Sequence, residues 1–206
     1  MYVPAHFAAS QPEIAGLLAQ SAGLDLISPS PDGLVATFLP MLYDAEAGSL
    51  LGHVARNNPH WQVADGESMA IVRGPDAYVS PSWYASKAGH GRVVPTWNYL
   101  TAHVYGRLVV HDDVSWLRTL VGRLTDRYEA LLAGAAGTRP WSVSDAPAAY
   151  VEGQLRAIVG VELVISRIDA KSKLSQNRSE ADQDGVVAAL STGSEAAQAV
   201  ARLMRS

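Results

Sequence analysis

The strongest constraint in the sequence is a turn. In "DLISPSPDGLVATFLPMLYD", two apolar runs meet at Ser30-Pro31-Asp32-Gly33. Proline presets a turn dihedral and glycine supplies a positive φ, so the segment predicts an antiparallel hairpin. Pro40 interrupts its second strand and has no N–H for a ladder, which predicts a bulge or an edge there. Further strands follow. "SLLGHVARNNPHWQVADG" reads as a strand, then a short turn of helix with a stop at Asn57-Asn58-Pro59. "MAIVRGPDAYVSPSWY" reads as two strands joined at Gly74-Pro75-Asp76, and "RVVPTWNYLTAHVYGRLVVHDD" as a strand, an irregular joint and another strand.

Helices frame this strand-rich part. Ser10 as N-cap, Ile14, Leu17 and Leu18 at helical spacing, and Gly23 as a stop predict a short first helix. "DVSWLRTLVGRLTDRYEALLAG" carries an apolar stripe through Trp116, Leu120, Leu124 and Leu131, and "SDAPAAYVEGQLRAIVG" predicts a further helix. "VELVISRIDA" alternates and returns as a strand. "EADQDGVVAALSTG" and "SEAAQAVARLM" predict two late helices, the second capped by Ser194. Strands first, helices late and one returning strand give a mainly β, α+β chain: an antiparallel barrel of six or so strands with helices packed outside it. No repeat or long linker divides the 206 residues, so one domain over 1–206 is expected, with a helical C-terminal extension at about 180–206.

Composition excludes several classes. The absence of cysteine rules out a disulfide framework, a thiolate nucleophile and a zinc–thiolate site, and fits a reducing compartment. No apolar run nears the roughly 20 residues that cross a bilayer. The first basic residue is Arg56, so the start lacks the basic region of a secretory signal and a cytoplasmic protein is expected. The six histidines are scattered, with no ligand spacing, so no metal is expected. A net charge of −4 disfavours a dedicated DNA binder.

Four segments carry chemistry. "GHVARNNPHW" offers Arg56, whose planar fork suits phosphate, beside amides, imidazoles and backbone donors; spacing alone equally describes a solvated turn capped by asparagines. "YVSPSWY" places Ser80 and Ser82 where hydroxyls hold phosphate oxygens or simply close a turn. "KLSQNR" gathers Lys173, Gln176 and Arg178 as an anion clamp or a basic loop. "VPTWNYLTAHVYG" sets Thr96, Trp97 and Asn98 along a strand. An indole is a broad apolar surface and a carboxamide both donates and accepts, which suits a flat polar heterocycle or a well-satisfied core.

Taken in order from Met1 to about Arg178, "MYVPAHF", "GHVARNNPHW", "GPDAYVSPSWY", "VPTWNYLTAHVYG" and "KLSQNR" closely resemble the PaiB-type FMN-binding negative transcriptional regulators. The resemblance implies a split β-barrel related to the pyridoxamine-phosphate oxidase and flavin reductase group. It also implies a bacterial homodimer with FMN at the subunit interface, and a regulatory role tied to repression of protease synthesis and sporulation. On this resemblance His53, Arg56 and Asn58 lie near the FMN phosphate or ribityl chain, with Ser80 and Ser82 as second candidates for the phosphate. Thr96, Trp97 and Asn98 line the isoalloxazine, while Lys173, Gln176 and Arg178 reach the pocket, the partner chain being one source. His103 and Tyr105 are assigned to packing or dimer contacts.

Three functions fit. The first is a flavin-binding regulator or sensor, in which a partner or DNA reads the state of the flavin. The second is a flavin-dependent oxidoreductase or flavin reductase acting on a small molecule, for which no catalytic residue stands out. The third is a dimer with a vestigial, empty pocket. Direct DNA contact gains no support from charge, since a dimer doubles the net −4. Arg118, Arg123 and Arg127 on the long helix are offset by Asp126 and Glu129.

Overall fold

A computed structural model describes residues 1–136 and 139–205. The hairpin forms as its turn demands. β1 (Gly23–Ser30) and β2 (Gly33–Asp44) pair from Gly23–Pro40 to Ser30–Gly33, and Gly33 takes φ 115°. Pro40 ends the stretch of β2 that has a single partner strand. β2 pairs with β1 up to Pro40 and with β3 (Ser49–Ala55) from Met41 onward, so the residue without an N–H stands where the strand changes partner.

Three local expectations change. The single helical turn α2 (His60–Val63) follows Pro59, because a residue without an N–H fits a helix start. β4 (Glu67–Val79) runs unbroken through Gly74-Pro75-Asp76. A side chain at Gly74 would meet Leu100 Cβ and O at 3.1 Å, so this glycine serves close approach and makes no turn. β5 (Thr96–His111) is likewise one strand, preceded by the short α3 (Ser86–His90). After α4 (Val114–Ala136) and α5 (Ala148–Arg156), β6 (Ile158–Lys173) extends beyond the alternating core of "VELVISRIDA" at both ends. The first helix, α1 (Gln11–Gln20), and the last, α7 (Glu195–Leu203), stand where Ser10 and Ser194 predict, and α6 (Glu180–Leu190) forms over the expected segment. Ser10 and Glu13 close α1 reciprocally, and Ser179 and Ser194 cap the other two.

The strand order is β1-β2-β3-β6-β5-β4, and β4 returns to β1 through Asp25–Ile71, Leu26–Ala70 and Ile27–Met69. By internal packing the chain divides into two compact units, with β4, β5 and β6 contributing to both. The ring unit comprises residues 21–71 and 104–168. Leu50–Leu163, Gly52–Val161 and Val54–Val159 pair across β3 and β6 and put one apolar face inward. Leu42 and Leu51 on the other face receive Leu120 and Leu124 of α4, while Leu117 packs with Val151 and Leu155 of α5. The second unit comprises residues 1–20, 72–103 and 169–205 of the described chain. Its core joins Ala77, Val79, Tyr84 and Leu174 to the inner faces of α6 and α7. These last helices are part of a hydrophobic core, more than an appendage.

The ring unit buries a polar cluster. The His60 ring accepts or donates to Thr37 Oγ1 at 2.9 Å and Ser28 Oγ at 2.8 Å, and Ser28 pairs with Ser68 at 2.7 Å. Asn58 reaches Thr37 and accepts from the His60 N–H. Both ring nitrogens are satisfied by neutral partners, so this is a stable place for a neutral imidazole only.

Two predictions follow from this packing. A Cβ on Gly106 would stand 2.1 Å from the Val164 carbonyl oxygen, whereas one on Gly122 in α4 meets nothing within 4 Å. Gly106→Ala is expected to cost about 3 kcal/mol in urea unfolding, and Gly122→Ala to stabilise by up to about 1 kcal/mol; similar effects at both sites would contradict the packing. The second concerns acid. Burial holds the imidazoles of His53 and His60 below the ordinary 6.5. The unfolded chain therefore takes up these protons first, and stability is lost as pH falls through 6.5. The urea midpoint should drop between about pH 7.5 and 5.5, well above the range in which carboxylates titrate. A midpoint flat across that interval would show that these histidines titrate normally.

Candidate functional site

The residues anticipated from sequence fall into two groups, one in each unit. In the ring unit, Arg56 leaves the end of β3 and its guanidinium is fully engaged. It donates to the Asp112 carboxylate with both terminal nitrogens, to the Arg156 carbonyl from Nε at 2.7 Å and to the Ile158 carbonyl at 3.0 Å. The charge is matched locally, and the pairing holds Asp112 below the usual carboxylate range. Asn58 belongs to the His60 cluster. His53 is mostly buried and its Nδ1 has no hydrogen-bond partner among the described residues.

The other eight residues lie in the second unit. Ser80 Oγ accepts from the Ser82 N–H at 3.2 Å and closes the short turn at Pro81–Trp83, and Ser82 Oγ accepts from Lys87. Strand alternation then separates three neighbours. Thr96 and Asn98 share the inward face of β5, while Trp97, 52% exposed, points to the opposite face. There Trp97, Tyr99 and Thr101 line an open hollow of about 480 Å³ with Arg73, Gly74 and Asp76, and Tyr78 meets Trp97 edge-on. Asn98 is 0% exposed. Its amide donates to Ser175 Oγ at 3.0 Å, and the Ser175 hydroxyl donates back to Asn98 Oδ1 at 3.1 Å.

This exchange anchors the turn after β6. Ser175 adopts φ 67°, a left-handed conformation uncommon outside glycine. Gln176 folds onto its own backbone, accepting from the Leu174 N–H at 2.7 Å and donating to the Ser172 carbonyl at 2.6 Å, and the Arg178 N–H donates to the Ser175 carbonyl. Gln176 is thus a brace for the turn. The turn carries Lys173 and Arg178 to a small cavity of about 130 Å³, lined also by Phe7, Tyr84, Thr96 and Asn177. Lys173 Nζ donates to Thr96 Oγ1 at 2.6 Å and to the Trp97 carbonyl. The Arg178 guanidinium lies 4.7 Å from the centre of the Tyr84 ring.

The cavity is electropositive. No carboxylate lines it, and neither Lys173 nor Arg178 forms an ion pair among the described residues. Burial, and then the charges of Lys171 and Arg178, push the Lys173 ammonium below the usual lysine range. A bound anion would relieve both effects, so the donor set fits a phosphate. Its size fits a phosphate too, since whole ligands occupy roughly 300–1,000 Å³. Lys173, Arg178 and Thr96, singled out in the sequence, line this cavity together with Tyr84, which was not singled out.

The comparisons with known proteins bear on family and fold. The family model described as "Putative FMN-binding domain" matches residues 1–167. An uncharacterized protein of Emericella nidulans, AN0679, is 29% identical, covering 100% of this chain and 96% of that protein. Protease synthase and sporulation protein PAI 2 of Bacillus subtilis is 28% identical over 91% of this chain and 87% of its own. Relatives thus occur in fungi as well as bacteria, which widens the bacterial expectation. Among solved structures, the conserved hypothetical protein Rv2991 of Mycobacterium tuberculosis superposes with a TM-score of 0.60 at 15% identity, covering 86% of this chain and 92% of that one. The FAD and heme binding protein of Mycobacterium smegmatis gives 0.55 at 16% identity, covering 80% and 71%. These likenesses show a shared fold. With the strand order, the family match and the full-length relatives together, the chain belongs to the PaiB-type FMN-binding family and has its split β-barrel fold.

Proposed function

We propose that this protein is an FMN-binding regulator that works as a homodimer and responds through its flavin. The carrying observation is the cavity of Lys173 and Arg178, two cations held together without a carboxylate in a chain of an FMN-binding family. The phosphate of FMN is the group that matches this donor set. A bound flavin supplies hydride and one-electron chemistry, and the chain supplies position and charge. Lys173 and Arg178 hold the anionic end, and Thr96 orients the Lys173 ammonium. The hollow beside Trp97 and Tyr99 lies on the opposite face of β5 from Thr96, so it is not the seat of a ring whose phosphate is held by Lys173.

Two features bear on how regulation is exerted. The basic residues of α4 are matched within the ring unit: Arg118 pairs with Glu152, Arg123 pairs with Asp44, and Arg127 donates to the Ser21 carbonyl. This helix therefore presents no free basic stripe to a DNA backbone, and the reading is regulation through flavin state, substrate or a protein partner. The outward face of β2 presents Leu34, Ala36, Phe38 and Pro40 in a row, with Leu34 and Phe38 exposed by 80% and 70%. The row has no charge of its own, so two copies of net −4 can meet there without apposing like charges. It is the proposed dimer surface.

Added FMN is expected to bind the purified chain and to lose fluorescence on binding. Lys173→Met should weaken it by roughly tenfold or more, the range for a charged hydrogen bond. Unquenched FMN with no thermal shift would favour a vestigial pocket. Sedimentation should give a dimer that Phe38→Glu converts to monomer; a dimer unchanged by the substitution would move the interface elsewhere.

A further inference from the structure

Gly74-Pro75-Asp76 makes no turn, yet it changes what β4 presents. Ala70 and Val72 are buried before it, and Ala77 and Val79 after it. The inward face therefore changes parity across Gly74-Pro75, and one extra residue is taken up there, as in a β-bulge. Bulges re-aim side chains, and here Arg73 and Asp76 both stand on the exposed face. They line the hollow of about 480 Å³ together with Trp97, Tyr99 and Thr101 of β5. Its size is that of a small-ligand site.

The rings and charges of this face are unevenly matched. Tyr2 and Tyr99 each lie near the Lys171 ammonium, and Tyr84 lies under the Arg178 guanidinium. Trp97 and Tyr78 have no such cation among the described residues, although indole is the side chain that attracts one best. These two rings meet edge to face, 6.1 Å between centres, and each is about half exposed. Beside them the Asp76 carboxylate makes no hydrogen bond or ion pair among the described residues. The Thr101 hydroxyl donates to the Val72 carbonyl, and Arg73 already has an interaction within the protein. What the hollow leaves unmatched is aromatic surface and one negative charge.

We propose that this hollow binds a small organic cation, an ammonium or pyridinium carrying apolar substituents. Its apolar shell lies on the Trp97 ring and its charge faces the Asp76 carboxylate. Such a cation is weakly hydrated, so it gives up little water on entering an open aromatic site. The hollow lies on the face of β5 opposite Thr96, so the proposal does not rest on the flavin reading and can fail without it.

Choline is the probe, with its uncharged analogue, in which carbon replaces the nitrogen, as control. Each is titrated into the full chain and followed by calorimetry and by the Trp97 indole N–H signal in NMR, identified by its loss in Trp97→Phe. Choline should bind saturably, and several-fold tighter than the analogue. Asp76→Asn and Trp97→Leu should each weaken it by roughly two- to fivefold, with the melting temperature unchanged because both side chains are exposed. FMN should not displace it. Equal binding of the uncharged analogue would reduce the hollow to an apolar surface. No saturable binding, binding indifferent to both substitutions, or displacement by FMN would each overturn the proposal.

Discussion

The reciprocal hydrogen bonds between Asn98 and Ser175 hold the turn on which the candidate site depends. Ser175 sits in a left-handed conformation that is unfavourable for a side-chain-bearing residue. Asn98 satisfies its hydroxyl away from water, Gln176 ties the flanking backbone, and the Arg178 N–H closes the turn on the Ser175 carbonyl. Without this bracing the chain would leave β6 as an ordinary loop, and Lys173 and Arg178 would separate into solvent. With it, two cations that repel each other share one cavity wall. The strain and the repulsion are in one place, where a bound anion offsets the second.

Electrostatic matching distinguishes this site from the other basic features of the chain. Arg56, Arg118, Arg123 and Arg167 each face a carboxylate, so each is neutralised where it stands. Exposed pairs of that kind contribute little to stability, but they remove a free charge from the surface. Lys173 and Arg178 form no ion pair among the described residues, although the Arg178 charge is felt by the Asp182 carboxylate. Both cations line one small cavity that no carboxylate lines.

Much of the fold was legible because its signals are local. Pro31-Asp32-Gly33 specified a hairpin, and Ser10 and Ser194 stand as caps at the starts of α1 and α7. Other features depend on residues distant in sequence. Gly74-Pro75-Asp76 resembles a turn, yet Gly74 is required by Leu100, a neighbour distant in sequence. Gly106 is required by Val164 in the same way. Sequence periodicity cannot tell a glycine that bends the chain from one that lets another backbone approach. The site was half legible for the same reason. Lys173 and Arg178 stood out as cations, but Thr96, Trp97 and Asn98 were expected on one wall, and strand alternation puts Trp97 on the face opposite the other two. The buried Tyr84 hydroxyl carries no sequence signal, because its lack of a hydrogen-bond partner among the described residues shows only in three dimensions.

If Lys173 and Arg178 recognise the phosphate end of the flavin, the ratio of FMN to riboflavin affinity for the unmodified protein, taken at low and at high salt, reports it. FMN is expected to bind tighter by roughly tenfold to a hundredfold, as charged hydrogen bonds to phosphate require, with the ratio narrowing as salt screens the half-buried cations. Equal affinities for the two flavins, unchanged by salt, would remove the phosphate from this cavity.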